Sequence, residues 1–130
     1  MAGSDDGRSD AGAGTPVIDT DALLANLGGD RGLAEQLLGQ LGRDVGERAA
    51  QLRDALDGGS VDEVHRIAHA LKGALASGCA LRARDCVQSV DDAARQGDLE
   101  GARAMYPRAE EALVELQSAL DEPQVPPSGG

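Results

Sequence analysis

"SVDEVHRIAHALKGALASGCALRARDCVQSVDDAARQG" runs from Ser60 to Gly97, and its reading decides the fold. Val64, Ile67, Ala68, Leu71 and Leu75 recur at three- and four-residue steps, the spacing of one helical face. Ser60 stands where an N-cap belongs, with Glu63 at the far position of a capping box, so the pattern predicts a helix from there to Ser77. Gly78 is its terminator. A second helix is predicted from Ala80 to Gln96, stopped by Gly97-Asp98. Two helices joined by so short a turn fold back on each other as an antiparallel hairpin.

Outward from this hairpin the pattern stays helical. Upstream, Leu33, Leu37, Leu41, Val45, Ala49, Leu52 and Leu56 mark a long helix from Asp30 to Leu56, closed by Asp57-Gly58-Gly59. Gly39, Gly42 and Gly46 each weaken it by up to ~1 kcal/mol relative to Ala, so packing must hold it. Before it, DTDALLANLG predicts a short helix capped by Asp19 or Thr20 and stopped at Gly28-Gly29. Downstream, Leu99 to Leu120 is helical, with Pro107 either kinking it or dividing it. No segment alternates as a strand does. The expected fold is all-α: an up-down antiparallel four-helix bundle with a short additional N-terminal helix. Residues 1–16 and 122–130 are Gly-, Ser-, Asp- and Pro-rich without periodicity and read as disordered tails around one domain, 17–121.

Bulk composition narrows the function. The 130-residue chain carries a formal net charge of −11, which repels nucleic acid. It has no Trp, no Phe and a single tyrosine, Tyr106, so a base-stacking surface has no material. Met1 to Thr15 lacks the apolar run of a signal peptide, and no stretch is long enough to span a bilayer, so the expectation is a soluble, cytoplasmic chain with no membrane partner. Cys79 and Cys86 would stand about 10.5 Å apart on one helix, too far for a disulfide, and read as free thiols.

The helical wheel then places the histidines. With Val64 at zero, Ile67, Ala68, Leu71, Leu75 and Gly78 fall within about 60° and form the core face. His65, Lys72, Ala76 and His69 fall between roughly 80° and 140°, with His69 well away from the core centre. His69 is therefore expected at the surface. From His65 to Arg84 there is no acid, while Arg66, Lys72, Arg82 and Arg84 are basic, a positive island on a negative protein. Across a hairpin turning near Cys79-Ala80, His69 is expected to meet Asp91, Lys72 to meet Gln88 and His65 to meet Arg95. An acid bonded to one ring nitrogen would leave the other nitrogen's lone pair outward, as a nucleophilic imidazole requires.

These residues carry a resemblance. AHALKG, Ala68 to Gly73, resembles the H-x-x-K-G signature of histidine-containing phosphotransfer (HPt) domains, and the likeness extends through IDTDALLANLGGD and DDAARQGDLEGA over residues 17 to 121. The resemblance implies a bundle whose exposed His69 carries a phosphoryl group between receiver-domain aspartates in a multistep phosphorelay. It implies that Lys72 offsets the phosphate charge and favours a neutral ring. Gly73 would give the docking receiver clearance, and Asp91 would orient His69. Arg95 and Gln88 would be further phosphate or receiver contacts. The partners implied are response-regulator receivers and a hybrid sensor histidine kinase. The chain itself would be a monomeric phosphocarrier without an ATP site, binding no cofactor, while the receiver supplies Mg²⁺ and most of the catalysis. Two departures bear on geometry: Asp91 is one methylene shorter than the family's Glu or Gln, and Gly78 comes one place early in Ser77-Gly78-Cys79-Ala80.

Two other classes compete. His65 and His69 at i and i+4, with Cys79 and Cys86, make a nominal His₂Cys₂ metal set, but the cysteines lie near and beyond the turn. An interaction module could keep the bundle and bind a receiver or other helical partner without phosphorylation. The chain retains both the histidine and the Lys-Gly beside it, which favours the carrier.

Overall fold

A computed structural model of the chain describes residues 17–121. The expected tails, 1–16 and 122–130, lie outside the described residues. Five helices occur in order: α1 Thr20–Asn26, α2 Arg31–Gly58, α3 Val61–Ser77, α4 Leu81–Arg95 and α5 Leu99–Leu120. No strand occurs among the described residues.

Local chemistry sets most of the boundaries. Asp19, Asp30, Ser60 and Asp98 each accept a backbone N–H of the first turn that follows, those of Ala22, Leu33, Glu63 and Gly101. Only half of the expected capping box forms, because Glu63 turns its carboxylate to Arg66 at 2.9 Å. Gly59, at φ +82°, takes the left-handed conformation that ends α2. Pro107 does not divide α5, which runs unbroken through it. Ala80, the wholly buried N-cap of α4, has no side-chain acceptor to offer its first turn.

Helices α2 to α5 each pack on the next, and α5 returns against α2 to close the bundle. The core is aliphatic, with Leu52, Val64, Leu71, Leu75, Val87, Val90 and Leu116 fully buried. Each such side chain contributes roughly 1.5–3 kcal/mol. The α2 glycines have their compensation here: Gly42 and Gly46 lie against Gln117, whose amide donates to the Gly42 carbonyl at 2.9 Å. Gly78 permits a close approach too, although its neighbour is Leu41 of α2 and not α4. The backbone N–H of Asp19 donates to the Cys79 carbonyl at 3.0 Å, which ties the segment leading into α1 to the α3–α4 turn.

Candidate functional site

Helix α3 buries Val64, Ile67, Ala68, Leu71 and Leu75 and turns His69 outward, as the wheel requires. No hydrogen bond or ion pair to the His69 side chain forms among the described residues; its ring stands 5.8 Å from that of His65, centroid to centroid, tilted by 43°. A groove of about 450 Å³ opens beside it, lined by His69, Lys72, Gly73 and Ala76 of α3 and by Arg84, Asp85 and Gln88 of α4.

The acid opposite is placed differently from expectation. Asp91 is completely buried, and its two oxygens are taken by His65 Nδ1 at 2.5 Å and by Lys72 Nζ at 3.3 Å. It does not hold His69. The reason lies in the angular order on α3: His65 and Lys72 lie nearer the core edge than His69 and so reach across to α4, while the outermost ring cannot. The shorter aspartate stays below them. A carboxylate wholly removed from water is costly unless charge-assisted bonds replace its hydration, and these two do so. An ionised carboxylate only accepts, so Nδ1 of His65 carries the proton of that bond, and its other ring nitrogen is left for solvent or a ligand.

The other expected contacts rearrange as well. Gln88 lines the groove, but its amide donates to Asp92 at 2.7 Å, and Arg95 leans toward the same Asp92 at 3.9 Å instead of meeting His65. The positive island is largely compensated. Arg66 pairs with Glu63, Arg84 with Asp85 and Arg82 with Glu115, acids that come from the preceding turn or from α4 and α5. Beside Arg66, the Glu63 carboxyl is held below its ordinary range by the guanidinium's hydrogen bond and charge.

Gly73 is the informative small residue. A Cβ built there meets nothing within 4 Å, and its backbone is ordinary helix, so nothing among the described residues requires glycine. The nominal metal set does not assemble. His65 is committed to Asp91, Cys79 is buried at the turn, and Cys86 lines a separate groove with Ser89, Met105 and Arg108. No group of three His, Cys, Asp or Glu side chains that could hold a metal occurs among the described residues.

With this geometry in place, similarity to known proteins has a clear meaning. The Hpt domain family model matches residues 36–122, most of the chain. The chain belongs to the Hpt domain family. Hpt domains are phosphocarriers that interact with receiver domains in phosphorelays, and this one is a histidine phosphotransfer protein of that kind. Its fold resembles that of histidine-containing phosphotransfer protein B (HptB) from Pseudomonas aeruginosa PAO1, with a TM-score of 0.74 at 23% identity over 82% of this chain and 92% of that one. No curated protein matches this chain in sequence. No helix among the described residues is long and apolar enough to cross a membrane.

Sequence reasoning missed the role of His65, setting it opposite Arg95 and weighing it as a metal ligand. The signal was present, since the wheel sets His65 and Lys72 closer to the core face than His69. Arg84 was placed in the basic island, yet its place on the wall of the His69 groove was not foreseen.

Proposed function

We propose that His69 is the phosphoryl-carrying residue and that residues 17–121 form the phosphotransfer unit. One observation carries this reading: an exposed imidazole stands beside a glycine whose missing side chain makes room for nothing among the described residues. Clearance of that kind serves a partner. Lys72, held on Asp91 and only 20% exposed, presents an ammonium to the same groove and offsets part of the phosphate charge. Arg84 and Gln88 line the path by which a receiver approaches, and Arg95 lies one turn further along α4.

The partners are response-regulator receiver domains and a hybrid sensor histidine kinase, and the chain works as a monomer. The sequence contains no G-x-x-x-x-G-K-[ST] loop to cradle a nucleotide, so the phosphoryl group arrives from a receiver aspartate. The receiver brings Mg²⁺ and most of the catalysis. The chain contributes a positioned nucleophile and a nearby cation.

The deciding experiment is transfer from a phosphorylated receiver to the wild-type protein and to His69→Gln. Label that is acid-labile, alkali-stable and absent from a folded His69→Gln variant supports the reading. A variant labelled as well as wild type overturns it. Binding without label on either protein points to the non-phosphorylated interaction module.

A further inference from the structure

Asp91, Lys72 and His65 make a cluster whose formal charge is zero while His65 is neutral. A dianionic phosphoryl group on His69 therefore meets a lysine whose charge is already shared with a buried carboxylate. His65 is the group able to change that balance. Its side chain is 44% exposed, its ring centroid is 5.8 Å from that of His69, and its Nδ1 is fixed by Asp91. Resting on the assignment of His69, we propose that His65 is a further residue of the phosphoryl site: on phosphorylation of His69 it takes up a proton at Nε2 and becomes a second cation beside the phosphoryl group.

A lone pair of one His69 ring nitrogen forms the N–P bond as the P–O bond to the receiver's aspartate breaks. The P–O electron pair stays on that carboxylate, and the His69 ring, left cationic by the attack, gives up the proton on its other nitrogen to solvent. His65 Nε2 binds a proton from solvent, while Nδ1 keeps the one it shares with Asp91. His65 forms no bond to phosphorus, so it is a positioning and charge-compensating residue.

The charged surroundings leave this role to His65. From α4 it is met by Asp91, whereas Arg95 leans to Asp92 and Gln88 bonds the same carboxylate. On its own helix the neighbours are His69, Lys72, exposed Asp62 and Arg66, the last paired with Glu63. Helix α2 packs against the other flank of α3, where Leu41 meets Gly78 and lines a groove with Ala74. A unit charge pair about 6 Å apart in water changes an equilibrium about threefold, and a dianion changes it about tenfold. By linkage the same factor must appear in phosphoryl acceptance once His65 is charged.

The test compares the equilibrium of phosphoryl transfer from one phosphorylated receiver to wild type and to His65→Gln between pH 8.5 and pH 6. Glutamine can still donate to Asp91 but cannot gain charge. The ratio of wild-type to variant acceptance is expected to rise about three- to tenfold toward pH 6, where an ordinary histidine is largely protonated. The receiver's own pH dependence cancels in this ratio. A flat ratio, with His69 labelled in both proteins, overturns this inference alone. No label at His69 overturns both it and the assignment of His69. Should His65→Gln fail to fold, ring-nitrogen NMR of the wild-type protein near neutral pH decides. More imidazolium at His65 in the phosphorylated than in the free protein supports the proposal, and an unchanged His65 spectrum overturns it.

Discussion

Gly73 lies within α3 and Gly78, five residues on, caps its end, and alanine is expected to act in opposite directions at the two. At Gly73 an added methyl meets open space and relieves the entropic cost of glycine in a helix. Gly73→Ala should raise stability by about 1 kcal/mol in urea unfolding. A bulky replacement there should leave the fold intact and lower receiver transfer by about tenfold or more, the cost of a modest steric clash at an interface. At Gly78 the added methyl runs into the Leu41 side chain, which is itself 6% exposed and has little room to move aside. Gly78→Ala should cost about 1–3 kcal/mol, the usual range for overpacking. If both substitutions destabilise, Gly73 has an intramolecular role and the clearance argument for His69 loses its support. The two glycines look alike in sequence, and only their surroundings separate them. Asp91 teaches the same lesson, because its place on the face of α4 turned to α3 was legible while the partners that take its two oxygens, His65 and Lys72 and not His69, were not.

The helices themselves were largely legible because caps and apolar spacing act locally. Ser60 announces α3 through a short polar side chain that satisfies a first-turn N–H group, and Asp30 and Asp98 cap α2 and α5 in the same way. What the sequence concealed is how elements are fastened to one another, since those bonds join residues tens of positions apart. Arg103 on α5 shows this. Its guanidinium donates through Nε at 3.0 Å and an Nη nitrogen at 2.8 Å to the Leu56 carbonyl, one of the orphan acceptors at the end of α2. Without it that half-buried carbonyl must find water. Arg103→Ala is expected to cost about 1.5 kcal/mol in urea unfolding, the usual worth of a hydrogen bond with a charged donor. Arg103→Lys should recover only part of this, because an ammonium lacks the planar fork. Full recovery by lysine would mean that charge near the helix terminus, and not the two-pronged bond, fastens α5 to α2.

At the scale of the whole molecule, periodicity announced an all-helical bundle because each helix has one continuous apolar stripe to bury. It could not announce which acids would neutralise the basic stretch from His65 to Arg84, because Asp91 and Glu115 reach it only once α4 and α5 are in place. Nor could it assign Tyr106, which composition shows only as the single aromatic of the chain. In the bundle Tyr106 sits where α5 returns on α2, in a groove with Val45, Ala49, Arg53 and Glu110, and its hydroxyl donates to Glu110 at 3.5 Å. Burial, and then the Glu110 carboxylate, push its phenol above the ordinary tyrosine value. A proton held more tightly by the folded than the unfolded chain makes stability fall as pH rises, starting near the unfolded value of about 10 and continuing through the higher folded one. Absorbance titration of this single tyrosine, with no tryptophan to obscure it, should therefore place the folded midpoint above that of free tyrosine. Glu110→Gln should bring it part of the way back and leave the share due to burial. Urea midpoints should drop over the same alkaline interval, and less steeply in Tyr106→Phe, which has no phenol to ionise. An equal drop in the phenylalanine variant would place the alkaline weakness elsewhere and leave the α2–α5 seam indifferent to the charge of its one aromatic ring.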